Sequence, residues 1–298
     1  MRIIVSGASG LVGSALLPSL QASGHEVVRL VRTSTGNAPG EAAWDPSART
    51  LDPAIIDGAD AVINLNGRSI AEGRWNSVVK EELRSSRLDS TTTLADAVGS
   101  AENPPGLLIN ASAVGYYGDR GDEELDEGSA IGAGFLAELS RDWERAALAA
   151  KSEHTRVALL RFGVVVARGG ALGKMLPPFK LGLGGPIGSG QQFWPWIGIE
   201  DVCGVIDFVL GHEEIEGPVN AVAPQEIRCS DFARTFGKVL SRPAFMPMPA
   251  FAARLALGEM ADSLLLASQR VRPKVLEDSG YSFRHPSLDE AIRSALSL

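Results

Sequence analysis

Cysteine, histidine and tyrosine are scarce in this chain of 298 residues, which carries two, four and three of them. Cys203 and Cys229 show neither C-x-x-C spacing nor a disulfide framework, so both read as reduced residues of a cytosolic protein. His25, His154, His212 and His285 lie far apart with no H-x-x-x-H pair, and no metal is expected. No apolar run approaches the length that spans a bilayer. The first one is broken by glycine before it resembles a signal segment, which implies a cytoplasmic protein with no membrane partner. Positive charge is also in deficit: 28 Lys and Arg stand against 36 Asp and Glu, a formal net charge of −8. That balance argues against nucleic acid as a partner, and any phosphate the protein binds must be met by local groups.

What is abundant is apolar sequence, 45% of the chain, enough for one large α/β domain carrying a smaller lobe. The stretch Met1 to Arg32 sets the pattern. Ile3, Ile4 and Val5 are too short a run for a helix and predict a buried first strand. Gly7, Gly10 and Gly13 follow at G-x-x-G-x-x-G spacing, for a tight turn, for backbone approach to a pyrophosphate and for close packing of helix on sheet. A helix is predicted from Leu11 to about Ser23, stopped by Gly24, with a second strand over His25 to Val31. Gly7, Ser9, Gly10, Leu11, Val12 and Gly13 are therefore assigned to binding a dinucleotide at the helix N-terminus.

The end of the second strand selects the dinucleotide. An NAD binder wants an acid there for the ribose 2′-hydroxyl, yet the position holds Arg32, and no acid occurs between Glu26 and Glu41. A guanidinium, with Thr33 and Ser34 beside it and Arg29 a weaker second, suits a 2′-phosphate and so NADP(H).

Further on, strand and helix signals alternate. Strands are expected around Ala43–Trp44 and over Ala61–Leu65, Leu107–Ala111, Val157–Leu160 and Val219–Val222. Helices are expected over Arg74–Val98, Phe135–Ala150 and Asp201–Leu210. This rhythm predicts a doubly wound parallel sheet over residues 1–166 and 199–223. Between 167 and 198 a glycine-rich segment with Phe193, Trp194 and Trp196 reads as an ordered loop walling a substrate cleft. With the proline-spaced helical stretch 224–298 it makes a smaller, mainly helical lobe.

Ligands of such sheets sit at the carboxyl ends of the strands. Leu65, Asn66 and Gly67 lie at one end, either approaching adenosine or simply forming an Asn-Gly turn. Arg84 and Arg87 share a helix face, and Arg87 is placed near the pyrophosphate, although a solvated face is the commoner reading of such spacing. Gly163 ends another strand. Ser112, Tyr116 and Tyr117 end a third, where hydroxyls polarise a carbonyl or simply close the crevice.

The motifs G-A-S-G-L-V-G, N-L-x-G, Ser86-Arg87, S-A-x-x-Y-Y-G from Ser112, L-R-x-G-V-V and P-W-I-x-x-x-D up to Asp201 resemble the extended short-chain dehydrogenase/reductases. Arg242-Pro243, Ser268 to Pro273 and G-Y-x-F-x-H-P from Gly280 narrow the likeness to an atypical branch, catalogued as nucleotide-sugar epimerases, that ends in a domain of unknown function. The resemblance covers nearly the whole chain. It implies a Rossmann domain, an NAD(P)-type cofactor and a cleft beneath the C-terminal lobe. The chain departs from the branch at Asn66, where alanine is usual, and at Gly198, where histidine is usual.

It departs from the superfamily in lacking Y-x-x-x-K. The fourth residue after Tyr116, Tyr117 and Tyr281 is Arg120, Gly121 and His285. A phenol with the reference pKa of about 10 is ionised to about one part in a thousand at pH 7, a poor base but a loaded acid. The expectation is an NADP(H)-dependent reductase of a small or nucleotide-linked carbonyl substrate, monomeric or homodimeric, using Ser112 with Tyr116 or Tyr117. A non-catalytic NADP(H) sensor and an epimerase proper are the alternatives.

Overall fold

The computed structural model describes residues 1–32 and 39–298. Its strands are β1 (Arg2–Ser6), β2 (Glu26–Val31), β3 (Glu41–Ala43), β4 (Ala61–Asn64), β5 (Leu107–Ala113), β6 (Glu124–Leu125), β7 (Arg156–Phe162), β8 (Val164–Val166), β9 (Trp196–Gly198), β10 (Gly217–Ala221) and β11 (Arg270–Val271). The helices that matter below are α1 (Leu11–Ala22), α2 (Pro53–Ile56), α3 (Ser77–Ser100), α4 (Phe135–Leu148), α5 (Gly170–Lys180), α6 (Ile199–Gly211) and α7 (Cys229–Val239), followed by α8 (Ala250–Leu257), α9 (Lys274–Asp278) and α10 (Leu288–Leu296).

Seven strands form one parallel sheet in the order β10-β7-β5-β4-β1-β2-β3. The order reverses between β1 and β4, and there a doubly wound sheet opens a crevice for ligands. Both faces are covered, so alternate residues of one strand serve two cores. Ile3 and Val5 pack with Leu16 of α1 and Val202 and Ile206 of α6, while Ile4 packs with Leu94 and Val98 of α3. This explains why β1 reads as an unbroken apolar run. Gly24, at φ +80°, ends α1 as expected, and the N–H of His25 reaches back to the carbonyl of Leu20.

Two expectations are corrected. The long third helix starts at Ser77, because the Asn76 side chain accepts the N–H of Val79 and caps it there. The segment after 167 is not loop throughout: α5 forms through Pro177 and Pro178, held by burial of Leu172 and Phe179, the latter 4.5 Å from Phe236 between ring centres. Trp194 and Trp196 do not wall a cleft. They are buried among Phe232, Phe236 and Ile292 in the core of the C-terminal lobe, with their indole N–H groups on the carbonyls of Leu265 and Gln225.

The lobe is tied to the sheet domain through Asp201. Its buried carboxylate accepts the N–H groups of Arg284 (2.6 Å) and His285 (3.0 Å), which joins the P-W-I-x-x-x-D motif to the C-terminal G-Y-x-F-x-H-P. Where the branch usually has histidine, a side chain on Gly198 would begin 3.7 Å from the His285 ring. Among the described residues no helix is long and apolar enough to cross a membrane, and no cluster of three metal-ligating side chains occurs.

Candidate functional site

The glycine turn is built as a cradle. Gly7 takes φ +71°, and a Cβ there would lie 2.6 Å from the backbone of Leu65. A Cβ on Gly13 would lie 2.4 Å from the Gly7 carbonyl oxygen, so only hydrogen lets α1 start this close to the turn. At Gly10 a Cβ would meet only that same oxygen, at 3.3 Å, leaving its other side open. Gly10 is also the N-cap of α1, with no capping side chain and no acid in the first turn. The N–H groups of Leu11 and Val12 therefore emerge uncapped at the positive end of a helix, with exposed Ser9 beside them. These residues fit a dinucleotide pyrophosphate. The lobe closes over them: side chains on Gly169 or Gly170 would strike Leu11, and Lys174 donates to the carbonyl of Ala71 on the opposite rim.

Arg32 is exposed at the end of β2 and lines a hollow of about 600 Å³ with Trp44 and Arg49. Thr33 and Ser34 lie outside the described residues. Arg29 points elsewhere, paired with Glu41 at 2.7 Å.

The Leu65–Gly67 loop is held from beneath by Arg87. Its guanidinium is buried and donates to the carbonyls of Leu83 and Arg68, with its centre 5.0 Å from the Trp143 ring. Burial lowers its pKa to about 10. It braces the loop. A Cβ on Gly67 would come within 3.2 Å of the same guanidinium carbon. Ser86 completes the brace by accepting the N–H of Arg68.

Sequence reasoning missed a buried ladder beneath the strand ends. Ser6 donates to Asn64 (2.7 Å), whose amide donates to Asn110 (2.7 Å) and Thr91 (2.8 Å); Asn64 also accepts the N–H of Asn66. The signal was an amide closing each of the apolar runs Ala61–Asn64 and Leu107–Asn110, at positions that pair in register.

The wall beyond β5 centres on Arg161, whose register neighbours are Ser112 on β5 and Asn220 on β10. Its guanidinium grips Glu144 of α4 through two bonds of 2.8 Å and donates to the Tyr117 hydroxyl at 2.9 Å. Ser112 donates to the same carboxylate at 2.6 Å. Burial alone would lower the Arg161 pKa, but bonding to Glu144 outweighs it and keeps the group charged. Tyr117 is fully buried, donates to Asn220 at 2.7 Å, and has its pKa pushed up to about 12 by burial. The three candidate hydroxyls thus part company. Those of Ser112 and Tyr117 are committed inside the wall, because a buried cation and carboxylate need every partner they can find. Tyr116 alone is half-buried, its ring centre 3.6 Å from the Arg161 guanidinium carbon, with no side-chain hydrogen bond to a described residue. At the end of β7, Gly163 makes room for the Pro195 carbonyl, 2.8 Å from where its Cβ would stand.

Sheet order, cradle and uncapped helix together define a Rossmann-type dinucleotide-binding protein. Comparison with known proteins narrows this: residues 3–221 match the profile of the NAD dependent epimerase/dehydratase family, and residues 248–295 match a domain of unknown function, DUF1731. The chain belongs to that epimerase/dehydratase family. Epimerase family protein Mb2239 of Mycobacterium bovis is 42% identical over 97% of this chain and 96% of its own length. Human epimerase family protein SDR39U1 is 39% identical over 98% of this chain and 99% of its own. The crystal structure of human SDR39U1 (isoform 2) with NADPH superposes with a TM-score of 0.92 at 38% identity, covering all of both chains.

Proposed function

We propose that the protein is an NADP(H)-dependent oxidoreductase that reduces a carbonyl of a small or nucleotide-linked substrate, with Tyr116 as proton donor. The choice of NADP(H) is supported by Arg32 where an NAD binder needs an acid, and by the NADPH in the human relative's structure. Gly7 to Gly13 would hold the pyrophosphate and Arg32 the 2′-phosphate; when bound, the nicotinamide supplies a hydride to the carbonyl carbon.

The observation that carries the catalytic part is that, of the three hydroxyls at the end of β5, only that of Tyr116 is uncommitted among the described residues. Its proton passes to the carbonyl oxygen and is replaced from solvent. Arg161 beneath the ring offsets part of the charge left on the phenolate, its own charge being shared with Glu144. Ser112 and Tyr117 act as positioning residues that hold Arg161 in place.

The test is NADPH consumption against a panel of aldehydes and ketones. Tyr116→Phe should slow it about a hundredfold or more while leaving NADPH affinity unchanged. Full activity in Tyr116→Phe would refute the assignment. A second reading, a non-catalytic NADP(H) sensor, is favoured by α4, which carries Leu139, Ser140 and Trp143 on its buried face and no Tyr/Lys pair. It requires tight NADPH binding with no hydride transfer to any member of the panel. An epimerase would instead turn over its sugar nucleotide without net consumption.

A further inference from the structure

The hollow beside Arg32 holds a second arginine that the reading above leaves without a role. β2 and β3 run parallel with Val31 opposite Ala43, so Arg32 and Trp44 stand side by side just past the ends of neighbouring strands. After Trp44 the chain doubles back: Asp45 and Thr50 exchange backbone hydrogen bonds of 2.9 and 2.8 Å. The last residue inside that turn is Arg49, at φ +54°, a left-handed conformation in which a Cβ is disfavoured and glycine is at ease. The turn places the Arg49 side chain on the wall of the same hollow that Arg32 lines.

Among the described residues, neither carboxylate on the lining of this hollow is paired with an arginine; both are held by neutral donors. Asp45 is engaged by the Ser47 hydroxyl and the N–H groups of Ser47 and Ala48, and Asp52 caps α2 through the N–H of Ala54. Asp89 lies 3.4 Å from the Arg49 guanidinium, which is 58% exposed, a surface pair too weak to hold the side chain away from a stronger anion. Arg32 and Arg49 thus line one shallow hollow at the carboxyl edge of the sheet. A phosphate monoester dianion has three terminal oxygens, of which a single arginine fork meets two.

We infer that Arg49 is the second cation of a two-arginine clamp on the adenosine 2′-phosphate and helps set the preference for NADP(H) over NAD(H). The inference rests on the NADP(H) reading above. It is tested on the full chain by the dissociation constants of NADPH, NADH, 2′,5′-ADP and 5′-AMP, measured calorimetrically without turnover. Arg49→Ala should weaken NADPH and 2′,5′-ADP about tenfold and leave NADH and 5′-AMP nearly unchanged. Arg49→Gly should lose the same affinity while its melting temperature holds or rises, which separates the missing charge from damage to the fold. An unchanged ratio of NADPH to NADH affinity in both variants overturns the clamp. If Arg32→Ala removes the preference and the Arg49 variants do not, only the role of Arg49 falls; if no variant moves the ratio, the NADP(H) reading falls with it.

Discussion

Removing Glu144 is the sharpest perturbation of the wall behind the candidate site. Its carboxylate accepts three bonds, two from Arg161 and one from Ser112, and all three side chains are buried. Glu144→Ala would leave a guanidinium with no counter-charge at a position 3% exposed. Stranding one partner of a buried ion pair costs about 3–5 kcal/mol, a large part of the roughly 5–15 kcal/mol that holds a domain folded. Ser112→Ala keeps both arginine bonds and loses one charge-assisted bond, so about 1.5 kcal/mol is expected. Glu144→Gln keeps the shape but turns an amide donor toward a guanidinium donor, and falls between them. Urea unfolding followed by circular dichroism gives the three values, with unchanged slopes showing that the unfolded state is the same. A Glu144→Ala protein within about 1 kcal/mol of the parent would refute the buried network and with it the commitment of the Ser112 hydroxyl.

Gly13→Ala should cost about 2 kcal/mol or more and weaken NADPH binding, because its Cβ meets backbone that cannot yield; thermal melts with and without NADPH check both effects. Glu200 supplies a pH dependence. The Ser294 hydroxyl, with Arg284 and His285, holds its carboxyl down to about 2 from the ordinary 4.5. Its contribution to stability is therefore complete above about pH 4.5 and is lost as pH falls toward about 2. Melting curves across that window should flatten in Glu200→Gln relative to the parent; identical curves would contradict the assignment.

The cradle and the strand ends were legible because glycine spacing and apolar runs are local signals. The parallel, doubly wound character of the sheet followed from the alternation of strands and helices. What stayed hidden depended on distant partners. The bracing contact between Arg87 and the Leu65–Gly67 loop is one such case, since spacing shows which face a guanidinium leaves but not which carbonyl receives it. Trp194 and Trp196 read as a cleft wall because the phenylalanines that bury them, Phe232 and Phe236, lie more than thirty residues further along. Helix α5 was masked by its prolines and glycines, whose unfavourable propensities are overridden by the burial of Leu172 and Phe179. Tyr116 and Tyr117 cannot be told apart by sequence, because the choice between them is made by Arg161 and Asn220 on two other strands.

The most direct measurement of the central claim is the affinity of the purified chain for NADPH and NADH, in the parent and in Arg32→Ala. The expected result is binding about a hundredfold tighter for NADPH, with that preference falling about tenfold or more when Arg32 is removed. Equal affinity in the parent, or no binding of either nucleotide, would contradict it.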